Sequence, residues 1–392
     1  MRFANRLKAL SGNVFVDMDQ AKAEAISAGK TIIDLSLGSS DLQAPNVAIA
    51  AIEKSLHDPT THGYLLYHGT LTFREAVAKW YTHRFDVEID PQTEVLLLIG
   101  SQEGTGHLPL AILNPQEIAL LLDPGYPSYA GGVYLAGGQI HTMPLLAENQ
   151  FLPVLADIPT SVLAKARLMV LNYPHNPTTS MASLSFFEET VKFCQQHDLV
   201  LVHDFPYADI VFDEIKSPPS ILQADPNKSS SIEFFTFSKS YNMGGFRIGF
   251  AVGNAELVTA LRKIKAIIDF NQYRGVLDGA IAALEGSQET VKQTVAEFQK
   301  RRDVFIKALN NINWLVESPQ ATMYVWAKLP EPWQNKSTEF CRQLVLKTGV
   351  AVSPGAGFGK QGEGYVRFAL VHNPDVLEVA VKQIAGFLGE TL

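Results

Sequence analysis

Between residues 94 and 252 the chain alternates two patterns: short runs of consecutive apolar residues, and stretches in which apolar residues recur every three or four positions. The runs at 95–99, 118–122, 168–171, 199–202 and 234–237 lack polar alternation, so most of their length predicts strands buried on both faces. The spaced stretches at 71–81 (Phe73, Val77, Trp80, Tyr81), 184–197 and 255–268 predict amphipathic helices. Strand and helix in rotation imply an α/β fold with a mostly parallel, open sheet, whose ligands meet the carboxyl ends of the strands. The flanks read differently. A helix at 21–28, a strand at 31–37 and a helix at 45–56 precede the alternation. From about residue 286 a long polar helix (289–309) leads to strands at 322–327, 350–352 and 365–369 and helices at 338–348 and 374–388. This divides the chain into an arm over residues 1–44, a large domain over 45–285 and a smaller one over 286–392.

The residues that follow each run carry the chemistry. Glu94-Val-Leu-Leu-Leu-Ile-Gly-Ser101-Gln102-Glu-Gly reads as strand, tight turn and helix start, an arrangement that offers free N–H groups and a positive dipole end to an anion. A buried parallel strand alone reads the same way. The run at 199–202 ends in His203-Asp204-Phe-Pro-Tyr207; a carboxylate directly after four apolar residues is costly unless a cation or donor meets it, a structural ion pair being the plainer alternative. The stretch 233–249, Glu-Phe-Phe-Thr-Phe-Ser-Lys-Ser-Tyr-Asn-Met-Gly-Gly-Phe-Arg-Ile-Gly, places Lys239 in a polar turn at the mouth of an aromatic strand. Desolvation there lowers an amine's pKa and suits it to Schiff-base chemistry, against the alternative of a solvated turn lysine. Thr236, Ser238 and Arg247 beside it are two hydroxyls and a guanidinium, the groups that hold a phosphate monoester. Arg367 alternates with apolar neighbours in Tyr-Val-Arg-Phe-Ala and so calls for a carboxylate.

The segment Ser-Lys-Ser-Tyr-Asn-Met-Gly-Gly-Phe-Arg-Ile-Gly, with Asn172-Tyr-Pro-His-Asn176-Pro-Thr upstream, resembles the lysine segment and Asn-Pro loop of class I/II aminotransferases, the pyridoxal-phosphate enzymes of fold type I. The resemblance runs from Gly38 to Arg367. It implies a mostly parallel sheet of the seven-stranded type between helices, plus a smaller α+β domain built from both termini. Lys239 would carry the cofactor and act as general acid/base; Ser101, Gln102, Thr236, Ser238 and Arg247 would grip its phosphate; Tyr126 would stack on its ring. Asn176 and Tyr207 would bond the ring hydroxyl, and Asp204 would face the ring nitrogen. At about 4 Å such a carboxylate favours the protonated nitrogen by roughly 4 kcal/mol at an effective dielectric of about 20. Arg367 would clamp the substrate's α-carboxylate, with Asn176 and Gly38 bordering it. Tyr64, in a Tyr-x4-Gly pattern with Gly69, would reach the phosphate of a neighbouring subunit, which implies a homodimer with shared active sites. Where dicarboxylate-specific relatives place an arginine, this chain has Asp269, with Arg274 nearby. The wording is most similar to the branch containing LL-diaminopimelate aminotransferases, a branch mixed in substrate.

Composition narrows the partners. A chain of 392 residues with 46% hydrophobic and 18% charged residues is globular, and a net charge of -8 argues against nucleic acid or an anionic membrane. Small molecules, an amino acid and a 2-oxo acid, are the expected partners. Cys194 and Cys341 predict buried, reduced thiols and a cytoplasmic setting, and neither a signal peptide nor a membrane span is expected. No metal site is expected: His62, His68, His83 and His107 read as surface or satisfied residues and His175 as a loop histidine. The activity expected is an amino-acid transaminase; a β-lyase on the same fold, or a non-catalytic cofactor-binding module, stands as the alternative.

Overall fold

The computed structural model describes residues 3–4, 6–10, 14–213, 215 and 217–391. Its strands in chain order are β1 (Ile33–Asp34), β2 (Val95–Leu98), β3 (Ile118–Asp123), β4 (Gln139–Pro144), β5 (Ala166–Asn172), β6 (Val200–Asp204), β7 (Ser231–Thr236), β8 (Gly249–Gly253), β9 (Tyr324–Lys328), β10 (Val350–Ala351), β11 (Ser353–Pro354) and β12 (Tyr365–Ala369). The longer helices are α1 (Val14–Ser27), α2 (Asn46–Leu56), α3 (Leu71–Phe85), α4 (Ser101–Ile112), α5 (Ser128–Ala136), α6 (Leu184–Gln196), α7 (Ala255–Ile268), α8 (Arg274–Glu285), α9 (Glu289–Asn311), α10 (Ser337–Thr348) and α11 (Pro374–Thr391).

Among the described residues a seven-stranded sheet runs β2-β8-β7-β6-β5-β3-β4. It is parallel except for β8, which is antiparallel to both its neighbours. The unbroken apolar runs have their cause here, because alternate residues of each strand enter two different cores. Leu97, Leu120, Leu122, Leu171, Leu201, Phe235 and Phe250 pack on one face with Trp80, Tyr81 and Phe85 of α3. Leu96, Leu98, Leu121, Val170, Val202, Ile232 and Phe234 pack on the other with Leu108 of α4 and Leu261 of α7. Burying side chains of this size contributes roughly 1.5–3 kcal/mol each. Edge strand β4, which pairs only with β3, is mostly exposed, and its Gln-Ile-His-Thr sequence shows it.

A third core joins Met18, Ala21 and Ala25 of α1 to Phe298 and Phe305 of α9, Phe340 of α10, Val325, Val366 and Phe368 of the β9–β12 pair, and Phe387 of α11. Residues far apart in sequence thus share one apolar interior. β1 pairs with β10, and β11-β12-β9 form a separate antiparallel sheet. Two expectations need correction, and one helix is added. The strand expected over 31–37 pairs only at Ile33–Asp34, and the one expected over 350–352 divides into β10 and β11. Helix α8, Arg-Gly-Val-Leu-Asp-Gly-Ala-Ile-Ala-Ala-Leu-Glu, is an addition, because two glycines dilute its helical pattern; Gly279 lies tight against Ile52 and Ala48 of α2, where a side chain would not fit. No helix among the described residues is long and apolar enough to cross a membrane.

Candidate active site

The sheet register lines up the ends of three parallel strands. Asn172 pairs with Asp204 across β5–β6, and Asp204 with Phe234 across β6–β7, so Asn172, Asp204 and Thr236 reach the same edge. Over that edge lies a cavity of about 300 Å³ lined by Gly38, Ser101, Gln102, Tyr126, Asn176, Asp204, Tyr207, Thr236, Ser238, Lys239, Arg247 and Arg367. Of the residues singled out in the sequence, Tyr64, Asp269 and Arg274 stay outside it. Tyr64 is 94% exposed with its ring edge-on to Phe270, and Arg274 points to Asp278 at 3.8 Å on the surface of α8.

One end of the cavity is built for an anion. The first turn of α4 leaves the N–H groups of Ser101 and Gln102 without intrahelical acceptors. The Thr236 and Ser238 hydroxyls are 2.9 Å apart, and Arg247, in the left-handed region at φ 53°, turns its guanidinium toward Gly100. A Cβ on Gly100, itself at φ 74°, would lie 2.5 Å from Arg247 Nη2, so only glycine fits there.

In the middle, Tyr126 lies edge-on to Tyr129, whose hydroxyl donates to Asp204 Oδ2 at 2.7 Å. Asp204 Oδ1 is buried with no hydrogen-bond partner, and burial pushes the carboxyl up to about 6 against the pull of Tyr129. Lys239 is half-buried in the β7–β8 connection and donates to the Gly38 carbonyl at 2.5 Å.

At the other end sits Arg367. It is buried, it donates to Asn176 Oδ1 and to the Ser36 carbonyl at 2.7 Å each, and it is stacked between the rings of Tyr324 at 4.2 Å and Phe358 at 4.7 Å. Among the described residues no carboxylate pairs with it, and its Nε–H has no acceptor. Asn176 is held by its own N–H, which donates to Asn172 Oδ1 at 2.9 Å, while Asn172 Nδ2 donates to the Asp204 carbonyl at 2.8 Å.

Sequence reasoning missed Tyr324. Its hydroxyl accepts from Tyr207 at 3.0 Å and closes on Gly38, where a side chain would collide with it. Burial raises its pKa, but the charges of Lys239 and Arg367 outweigh burial and leave it lowered. The sequence carried no local signal for it: Tyr324 lies two positions before Trp326, the strand partner of Arg367, a register that only the folded sheet reveals. Asn172 lay inside a quoted motif without a role, and Tyr129, three residues after Tyr126, was given none. His175 lies in the loop after β5, as expected, but is fully buried there: its Nδ1 is 2.7 Å from Thr178 Oγ1, and burial pushes it down to about 3. His107, expected at the surface or satisfied, is a correction: it is half-buried, with Nδ1 lacking a hydrogen-bond partner.

The sequence model of the family described as Aminotransferase class I and II matches residues 30–384. A protein of Dehalococcoides mccartyi named LL-diaminopimelate aminotransferase is 43% identical over 387 residues, 99% of this chain and 99% of its own. Among solved structures, substrate-bound BacF from Bacillus subtilis superposes with a TM-score of 0.94 at 33% identity, covering 99% of this chain and 98% of that one. A probable N-succinyldiaminopimelate aminotransferase from Thermus thermophilus gives 0.90 at 41% identity, covering 95% of this chain and 99% of that one.

Proposed function

This chain belongs to the class I and II aminotransferases, and we propose that the cavity over the β5–β7 edge is where it exchanges an amino group, with LL-diaminopimelate as donor. It is a pyridoxal-phosphate-dependent transaminase acting on small amino and oxo acids. The cavity fits that cofactor on one observation above others: Asp204 Oδ1, buried and without a partner, faces into a space bounded by an amine and an anion cup. Ser101, Gln102, Thr236, Ser238 and Arg247 would hold the phosphate, Tyr126 the ring face, Asn176 and Tyr207 the ring hydroxyl, and Asp204 the ring nitrogen. When bound, the cofactor supplies an electron sink for the pair left on the substrate's α-carbon when its proton departs.

The chain's own residues do the rest. Lys239 Nζ takes up and returns the α-proton, its position set by the Gly38 carbonyl. Arg367, with an idle Nε–H and no protein carboxylate, binds and orients the α-carboxylate. The Tyr207–Tyr324 pair and the wall at Gly38 shield that end from water.

Two arguments bear on the donor. Relatives named for LL-diaminopimelate align over nearly the whole chain. The cations lining the cavity are Lys239, Arg247 and Arg367, all with work assigned, so among the described residues of one chain no further cation awaits a side-chain carboxylate there. A distal end bearing both an ammonium and a carboxylate is neutral and suits such a pocket better than aspartate or glutamate. A second copy would cover the apolar face beside the cup, where Tyr64, Leu66 and Ile267 are exposed, and Tyr64 would then reach the partner's phosphate. Light scattering at micromolar concentration should find a dimer, and a monomer removes this part of the reading.

The test adds LL-diaminopimelate, aspartate, glutamate and neutral amino acids singly to the holoprotein without oxo acid, following cofactor absorbance and free ammonia. Stoichiometric conversion without ammonia, strongest with LL-diaminopimelate and absent in Lys239→Ala, is the expected result. Ammonia release would mean a lyase, and preference for aspartate or glutamate would overturn the donor assignment.

A further inference from the structure

Behind the anion cup lies a buried group of charges that the reaction does not use. Glu103, the third residue of α4, turns its carboxylate back to accept the N–H of Ile99, and its other oxygen accepts from Lys265 Nζ at 2.7 Å, with both side chains 3% exposed. Lys265, in the last turn of α7, also lies 3.4 Å from Asp269 Oδ1. His107, one turn along α4, stands 3.7 Å from Glu103 and 3.9 Å from Asp269. Glu103, His107 and Asp269 are close enough to share a cation, and the cation they surround is this chain's own lysine. Burial pushes the Glu103 carboxyl up to about 7 against the pull of Lys265.

On the other side of the same turn, the Gln272 amide donates to the carbonyls of Leu98 at 3.1 Å and Arg247 at 3.2 Å. The Ile99 N–H is thus held by Glu103, itself tied to Lys265, and the Leu98 carbonyl by Gln272, immediately before the glycine at φ 74° that aims Ser101 and Gln102. A desolvated ion pair is an expensive way to join two helices, and apolar residues of similar size would hold them as well. What apolar residues cannot supply is an acceptor for the Ile99 N–H. The pair also fixes the direction of a turn whose free N–H groups must converge on one anion.

We propose that Glu103 and Lys265 are positioning residues for the cofactor's phosphate: they hold the β2–α4 turn so that the Ser101 and Gln102 N–H groups and Arg247 meet the same phosphate monoester. The assignment rests on the cup being the phosphate site, and the two can fail separately. The experiment titrates the apoproteins of the parent, Glu103→Met and Lys265→Met with pyridoxal phosphate and with unphosphorylated pyridoxal, read by absorbance and fluorescence, and adds inorganic phosphate as competitor. Loss of the acceptor or its cation should weaken pyridoxal phosphate by about tenfold or more, leave pyridoxal within about twofold, and blunt competition by phosphate. Where a single variant fails to fold, Glu103→Met with Lys265→Met removes both charges at similar volume and should show the same phosphate-specific loss. Unchanged pyridoxal phosphate affinity in a folded variant, or an equal loss for pyridoxal, overturns the proposal. Equal affinity of the parent for both compounds would overturn the phosphate cup itself.

Discussion

Two carboxylates lie almost side by side in the central sheet and have been treated in opposite ways. Glu233 on β7 is opposite His203, and Asp204 on β6 is opposite Phe234, so they are one step apart along the same ladder and both are buried. Glu233 is fully satisfied: Tyr81 donates to one oxygen, and His203 Nδ1 at 2.7 Å and the Ile221 N–H at 2.9 Å donate to the other. Asp204 has Tyr129 on one oxygen and no hydrogen-bond partner on the other, though the nearby Ser101 hydroxyl also pulls on the carboxyl. The first is a structural carboxylate, closed on every side by the fold. The second is left open toward the cavity, and its raised pKa is the strain of that opening.

The contrast can be broken by substitution. Asp204→Asn keeps the size and removes the charge, so turnover should fall on the order of 10³-fold or more, about 4 kcal/mol of lost ring-nitrogen stabilisation, with the fold intact by circular dichroism. Glu233→Gln should do the reverse: a loss of roughly 3 kcal/mol in denaturant unfolding, because three donors lose a charged acceptor, while kcat of the folded fraction stays within about threefold. If Glu233→Gln lost turnover as steeply as Asp204→Asn, the division of roles would be wrong. A pH-dependent effect concerns the apoprotein. Its Asp204 holds a proton more tightly than the unfolded chain does, with the carboxyl at about 6 instead of the ordinary 3.8. The group is therefore harmless to stability below about pH 4, and the cost grows as pH rises to about 6 and then levels at up to about 3 kcal/mol. Asp204→Asn should accordingly raise the melting temperature of the apoprotein at pH 8 and hardly at all at pH 4, whereas a gain independent of pH would point to packing instead.

The same pair shows what the sequence can and cannot carry. Asp204 was legible because its cost is local: four apolar residues precede it, and the run announces both the strand and its end. Lys239, Arg247 and Ser101 were legible for a related reason, each following directly on a strand or turn whose ending the pattern marks. The satisfaction of Glu233 was not, since Tyr81, Ile221 and His203 come from separate elements and only packing brings them together. Tyr324 escaped for the same reason: it belongs to the site through Gly38, near the other end of the chain, and through Tyr207, 117 positions away. Helix α8 was hidden by glycines chosen for contact with α2 rather than for helix propensity. The arm at 31–37 read as a strand by its composition, yet its backbone pairs only over Ile33–Leu35; Leu37 and Gly38 then line the cavity, and the Ser36 and Gly38 carbonyls accept from Arg367 and Lys239.

That last arrangement has a temporal meaning. The residues lining the anion cup lie between Gly100 and Gly249, and Lys265 and Gln272, which brace its turn, follow shortly after, so a chain halted on the ribosome after Gln272 already contains every one of them. Arg367 and the Ser36 carbonyl it grips are 331 positions apart. During synthesis the earliest segment must wait for nearly the last before this end of the cavity exists. A nascent chain therefore acquires the means to hold an anion well before it acquires the means to recognise what the anion's carrier will react with.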